Sequence, residues 1–254
     1  MEAARVAALR GHDVELYEKD EKLGGQVNIA AKIPTRDEFS DIRRYLEIQM
    51  EKLGVNVRPN KEITLEMVKS IDPDAVIVAT GSRPFILPIP GANRDHVVNV
   101  WDVLEDKVEV GNHVVIVDGG DSFWPCLGTA EFLLDRGKRV EVTSYLYYIG
   151  MSIPAQSLPT LYQRLYRKGI ILSPQTEVKE ILNDAVVVKN VFTNEERRIE
   201  KVDTVVMATG NRANDELVKA LEGKVKELHA IGDCVAPRKV QDAIREGNKV
   251  GRLI

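Results

Sequence analysis

No run of apolar residues in this chain is long enough to cross a bilayer, so a membrane partner is not expected. The two cysteines, Cys126 and Cys234, stand far apart and form no CxxC pair. That excludes a local redox dithiol or zinc knuckle and fits a reducing cytosol, which makes a cytoplasmic location the expectation. Metal-ligand spacing is absent among the four histidines, His12, His96, His113 and His229, so no metal site is expected. Basic excess is missing too. A net charge of −4 argues against a nucleic-acid footprint. The first ten residues read as a charged amphipathic helix rather than a signal peptide.

What is present begins with Val14-Glu15-Leu16-Tyr17-Glu18-Lys19, followed by Leu23-Gly24-Gly25-Gln26. Alternating apolar residues make a short strand that ends on an acid, and a glycine pair then lets backbone approach a ligand. In a dinucleotide-binding βαβ unit an acid at this point accepts hydrogen bonds from the adenosine ribose, which makes Glu18 the candidate. The helix before it, residues 1–10, would carry a pyrophosphate at its N-terminus. The strand and GxGxxG loop that normally open such a helix are not in the sequence. Because that strand lies mid-sheet, two neighbours are expected to lack a ladder partner. The expectation is a piece of a longer polypeptide; the alternative is a short protein that no longer binds nucleotide normally.

At 254 residues, 44% hydrophobic and 29% charged, the chain has room for two modest domains with real cores. Thr35 is a plausible N-cap for an amphipathic helix marked by Phe39, Ile42, Leu46, Met50 and Leu53. Residues 55–58 read as a strand and residues 63–68 as a connecting segment. The run 75–79 is apolar on both faces, as in a buried parallel strand, and ends in Thr80-Gly81-Ser82-Arg83-Pro84 before a Pro-rich stretch. A second βαβ pattern opens at residues 113–117, with Asp118-Gly119-Gly120 at its end, a helix over 129–136 and a strand over 139–143. Residues 177–181, 185–189 and 197–200 alternate like a meander. The strand 204–208 repeats the Thr-Gly ending, and residues 239–253 close the chain as a helix. The fold class read from this is α/β: two Rossmann-like parallel-sheet nucleotide-binding domains, the second inserted into the first, with a β-meander. The domains are expected at 1–88 plus 209–254, and at 89–208.

Four phrases in this order now point to a family: Glu18-Lys19…Gly24-Gly25-Gln26, Ala79-Thr80-Gly81-Ser82-Arg83-Pro84, Ala208-Thr209-Gly210-Asn211-Arg212 and Ala230-Ile231-Gly232-Asp233-Cys234. Over nearly its whole length the chain resembles the C-terminal, pyridine nucleotide-disulfide reductase-like half of the multidomain old-yellow-enzyme flavoproteins. That group includes dienoyl-CoA reductase, enoate reductases, and trimethylamine and histamine dehydrogenases. The resemblance implies an oxidoreductase module that binds FAD, or ADP only, and in some members NAD(P)H. It also implies a preceding barrel with FMN and a 4Fe-4S cluster as the partner, since neither the barrel nor cluster cysteines occur here. By matching position, Glu18 and Lys19 would flank the adenosine ribose, and Gly25 and Gln26 would approach the flavin side. Ala79, Thr80 and Gly81 would pass the dinucleotide, and Gly232 and Asp233 would bind its ribityl and pyrophosphate region. Val240 and Gln241 would sit near the isoalloxazine, and Ile63 would give an adenine-side backbone contact. No catalytic residue is assigned.

The second nucleotide site departs from its pattern. Gly119-Gly120 leads into Asp121-Ser122-Phe123-Trp124-Pro125-Cys126-Leu127-Gly128, longer, bulkier and more acidic than a phosphate loop. Asp121 would face phosphate with the wrong charge, and Phe123 and Trp124 would fill space that the backbone needs. The next strand ends in Thr143-Ser144-Tyr145, with no acid for a ribose. This loop is closer to the amine-dehydrogenase branch, in which reducing equivalents leave for an electron-transfer protein, so NAD(P)H stays open as a partner. Plainer readings stand beside these. Glu18 is a ribose ligand or a strand-end surface acid, and Asp233 a cofactor ligand or a helix cap. Arg83 and Arg212 are phosphate partners or solvated loop charges. Cys126 and Cys234 read as small buried residues, and Tyr145, Tyr147 and Tyr148 as packing or interface residues. The whole reads as a redox module relaying hydride or electrons; the alternative is a non-catalytic ADP-binding or assembly domain, with oligomerisation open.

Overall fold

A computed structural model describes residues 1–254, which divide into two compact units. The first comprises residues 1–31, 38–83 and 211–254; the second comprises 32–37 and 84–210. In chain order the first unit runs α1 (Glu2–Leu9), β1 (Glu15–Tyr17), α2 (Gln26–Ala30), α3 (Phe39–Lys52), β2 (Asn56–Arg58), α4 (Leu65–Ile71), β3 (Val76–Val78) and the crossing strand β4 (Ser82–Pro84). The second unit holds β5 (Val97–Asn99), α5 (Val100–Leu104), β6 (His113–Asp118), α6 (Trp124–Asp135), β7 (Arg139–Ser144), α7 (Leu158–Arg167), β8 (Ile171–Ser173), β9 (Thr176–Ile181), β10 (Ala185–Asn190), β11 (Glu196–Glu200) and β12 (Thr204–Ala208). The chain then re-enters the first unit through β13 (Asn211–Ala213), α8 (Glu216–Leu221), β14 (Leu228–Ala230), a 3-10 turn at Gly232–Cys234, and α9 (Val240–Leu253).

In the first unit the parallel strands form two separate ladders, β1 with β2 and β14 with β3. One helix serves both. Ala4 and Ala8 of α1 share an apolar cluster with Val14, Leu16 and Val57, while Ala3 shares another with Ile77 and Ile231. Glycines bring α9 against α1: a Cβ at Gly251 would stand 2.8 Å from the Ala3 carbonyl oxygen and 2.8 Å from the Val6 Cβ. Small residues at such a crossing let backbones approach where a larger side chain would clash.

The second unit carries a five-stranded parallel sheet in the order β5-β12-β6-β7-β8. All residues of β6 and β12 are buried, which is why these strands read as unbroken apolar runs rather than alternating ones. The meander β11-β10-β9 is antiparallel and shares one core with the sheet, in which Val115, Val205 and Met207 join Val178, Ile181, Val186 and Val188.

Three local expectations need correction. Thr35 does not cap α3; it has a left-handed φ of 65°, and Glu38 occupies the N-cap. Residues 32–37 belong to the second unit, where Ile33 lies against Gly128 and the Arg36 guanidinium stacks 3.9 Å from the Trp124 ring centroid. The segment read as a connection after Ile63 holds α4, capped by the Thr64 hydroxyl, which accepts from the Met67 N–H at 3.3 Å.

Glu131 of α6 is buried and must be matched. It accepts two hydrogen bonds from Arg164 of α7 at 2.7 and 2.8 Å and one from Lys168 at 3.0 Å. Burial raises its pKa, but the Arg164 and Lys168 hydrogen bonds outweigh this and hold the carboxyl below its ordinary value. A lowered folded-state pKa stabilises the protein above the unfolded-state value and is lost as pH falls through the folded one. Arg164→Ala should therefore cost about 3 kcal/mol at pH 7. In urea denaturation, the stability gap between wild type and Glu131→Gln should narrow as pH falls below about 5 and on through the lowered folded-state value. A gap that widens with acid would contradict this pairing.

Candidate functional site

Glu18 follows β1 directly. Its N–H donates to the Arg58 carbonyl at 3.0 Å, its carbonyl accepts from Lys61 N–H at 2.8 Å, and its carboxylate accepts from Asp20 N–H at 3.0 Å. These bonds fix the strand end, with Glu18 half-buried and Lys19 exposed beside it. Gly24 and Gly25 then take φ values of 107° and 49°, conformations that favour glycine. A Cβ at Gly25 would meet nothing within 4 Å, so the backbone there borders open space.

Gln26, the first residue of α2, is the hub of a side-chain network. Its amide nitrogen donates to the Ser82 hydroxyl and to Asp233 Oδ2, each at 2.9 Å. Its amide oxygen accepts from Asn211 Nδ2 at 3.1 Å, and Ser82 donates to Asp233 Oδ2 at 3.2 Å. Asp233 Oδ1 accepts from the Arg238 N–H at 3.0 Å. Gly232 has a φ of 67° and donates its N–H at 2.7 Å to Glu246, which also pairs with Arg238 at 2.6 Å. The Gly232 bond foremost, against modest burial and aided by Arg238, lowers the Glu246 pKa. Val240 and Gln241 open α9, and their N–H groups have no intrahelical acceptor, whereas Asp242 N–H donates to the Lys239 carbonyl at 2.9 Å.

The structure thus joins Gln26 and Asp233 directly, with Gly25 and Gly232 as their chain neighbours. Glu18 and Lys19 belong to the β1 end and share no hydrogen bond with that network. Ala79 and Thr80 are exposed; the Thr80 hydroxyl donates to the Asn214 carbonyl at 2.6 Å, and the Gly81 carbonyl accepts from Asn214 N–H at 3.0 Å. Ile63 packs with Val68, Val78, Leu221 and Cys234. Ser82 and Asn211 are members that sequence reasoning missed. Both follow a Thr-Gly strand end, at equivalent places in the two repeats, and that equivalence is the signal that could have found them. Arg83 is engaged in an exposed ion pair with Glu216 at 3.0 Å.

At the matching turn of the second unit the loop is shorter than expected. α6 begins at Trp124, so Phe123 is its N-cap and Pro125 lies in its first turn. Proline suits that position because its missing N–H would lack a partner anyway. Asp118 meets the loop from the strand end: its Oδ1 accepts from Gly120 N–H at 3.0 Å and Ser122 N–H at 3.1 Å. Asp118 Oδ2 is buried with no hydrogen-bond partner.

A discontinuous parallel-sheet unit interrupted by a second one, each with a turn at a strand's C-terminal end, defines the two-unit dinucleotide-binding oxidoreductases. The chain belongs to the pyridine nucleotide-disulphide oxidoreductase family, whose model matches residues 1–247, and is a redox module of that family. An N,N-dimethylglycine/sarcosine dehydrogenase from Chromohalobacter salexigens is 31% identical over 291 residues, covering 98% of this chain and 42% of that protein. A bilirubin reductase from Mediterraneibacter gnavus is 35% identical over 250 residues, covering 97% of this chain and 38% of that protein. A solved 2-naphthoyl-CoA reductase in complex with 2-naphthoyl-CoA matches with a TM-score of 0.93 and 33% identity, over 100% of this chain and 38% of that one. The chain therefore spans 38–42% of the length of these relatives. No helix is long and apolar enough to cross a membrane.

Both cysteines are free and buried. Burial foremost, then the charges of Asp118 and Asp121, pushes the Cys126 thiol well above its ordinary pKa, leaving it without thiolate character. The native chain should release little colour from a disulfide reagent at pH 8, and denaturant should release both thiols. A thiol that reacts at once in the native chain would contradict this burial.

Proposed function

We propose that the first unit, residues 1–88 with 209–254, holds FAD and passes reducing equivalents to or from the rest of a longer flavin and iron–sulfur oxidoreductase. The observation that carries this reading is the Gln26–Ser82–Asn211–Asp233 network, which gathers four distant chain segments. The residues fit the group: Gly25 leaves its side of the backbone open, and Asp233 is held by donors rather than buried unpaired.

Glu18 and Lys19 would hold the adenosine ribose, and Ile63 would offer backbone on the adenine side. Gly25, Gln26, Ala79, Thr80 and Gly81 would line the dinucleotide, and Gly232 and Asp233 would take its ribityl and pyrophosphate region. Gln26 and Ser82 fix the rotamer of Asp233, so its carboxylate is oriented before a ligand arrives. Val240 and Gln241 would face the flavin ring, where the positive end of α9 favours negative charge by about 0.3–1 kcal/mol. Bound flavin supplies hydride or single-electron transfer; the polypeptide supplies orientation and electrostatics. The partner would be an FMN and iron–sulfur barrel of the parent polypeptide, or a separate electron-transfer protein, in the cytoplasm. Residues 89–208 would be the inserted, NAD(P)-binding-like domain.

Purified chain, denatured and cleared of protein, should release flavin absorbance, or the apo chain should take up FAD with quenching of flavin fluorescence. Colourless protein that binds ADP but no FAD, or neither, would replace this reading with a non-catalytic nucleotide-binding or assembly domain.

A further inference from the structure

We infer that the second unit takes no pyridine dinucleotide, because the Asp118 carboxylate already occupies the phosphate place at the turn between β6 and α6 as an internal anion. At such a turn the loop amides and the helix N-terminus are the donors that a pyrophosphate needs. Here three of the loop amides are spent. Gly119 N–H donates to the Ala208 carbonyl at 3.1 Å, and the Gly120 and Ser122 amides both donate to Asp118. Pro125, in the first turn of α6, has no N–H to give.

Space is taken as well as donors. A Cβ at Gly120 would stand 1.9 Å from the Tyr145 hydroxyl, so the end of that exposed side chain lies against the glycine face a phosphate would need. Ser122 is held with a φ of 45°, its hydroxyl accepting from Gly150 N–H at 2.7 Å. Charge points the same way, since the Asp118 carboxylate, with Oδ1 bonded to the loop amides and Oδ2 buried and unpartnered, already places an acid at this turn. Nor does β7 end on a ribose-reading acid; its last residue is Ser144, whose hydroxyl accepts from Leu146 N–H at 3.3 Å.

NAD(P)H does not fit these residues. Electrons exchanged by the chain then enter or leave without a nicotinamide docked on residues 89–208.

Hydrogen–deuterium exchange of the whole chain tests this locally, by following the peptide over residues 117–124 with and without NADH or NADPH. The nucleotide is used at about 5 mM, above the micromolar-to-millimolar range in which enzymes usually hold substrates. Unchanged exchange is expected. Slowing of that peptide by roughly twofold or more would overturn the inference. Because the readout is confined to the loop, it does not depend on flavin: a chain that binds no FAD yet shows an unprotected loop loses only the flavin reading.

Discussion

Where a parallel strand ends and its turn begins, backbone N–H groups must find an acceptor, and the acceptor they find decides what each half of this chain can hold. Buried donors without partners are rarely tolerated. In the second unit Asp118 meets the demand from within. In the first unit the comparable acid, Asp233, is held by side-chain donors from Gln26 and Ser82 and by one backbone amide from Arg238. The start of α9 is thus not consumed by that carboxylate, and the Val240 and Gln241 amides keep no acceptor within the helix.

The same contrast runs through the internal repeat. Thr-Gly-Ser at residues 80–82 and Thr-Gly-Asn at 209–211 are the two crossings of the chain, and β4 pairs with β13 there. Placing a polar residue after each Thr-Gly gives Gln26 a hydroxyl partner from one crossing and an amide donor from the other. A repeat that looks like a relic of duplication therefore has a present structural role, because its two copies converge on one glutamine. Hydrogen-bonded groups of this kind cost little when all members are satisfied and much when one is removed.

How far the sequence disclosed this depends on whether local pattern or distant packing fixes each piece. β6, β12 and the meander are legible because burial on both faces, or on alternate faces, writes itself into residue order. Gln26 and Asp233, which the structure joins, stand out in sequence because each lies beside a glycine at a strand or turn end. By contrast, the start of α6 is hidden by Phe123-Trp124-Pro125, which resembles a loop until proline is seen to occupy the first helical turn. Residues 32–37 escape for a different reason. Their partners Gly128 and Trp124 are distant in the chain, and no local periodicity encodes such a contact. Asp118 escapes notice because it reads as the last residue of a strand, and only the turn of the backbone brings its carboxylate to the Gly120 and Ser122 amides.

The two units also hold themselves together by different means, and this bears on where ligand binding can matter to stability. β6 and β12 are wholly buried in a five-stranded sheet, so the second unit is cohesive through its ladder and a single shared core. The first unit has only three-residue strands in two-stranded ladders, and such ladders are marginal alone. Its cohesion must come from helices instead: α1 reaches both ladders through Ala3, Ala4 and Ala8, and α9 closes on α1 across Gly247 and Gly251. A ligand lying along the ends of β1 and β14 would add contacts to both ladders at once, which the strands themselves do not do. Binding energy in that unit is then also folding energy, whereas the self-capped turn of the second unit gains nothing from a nucleotide.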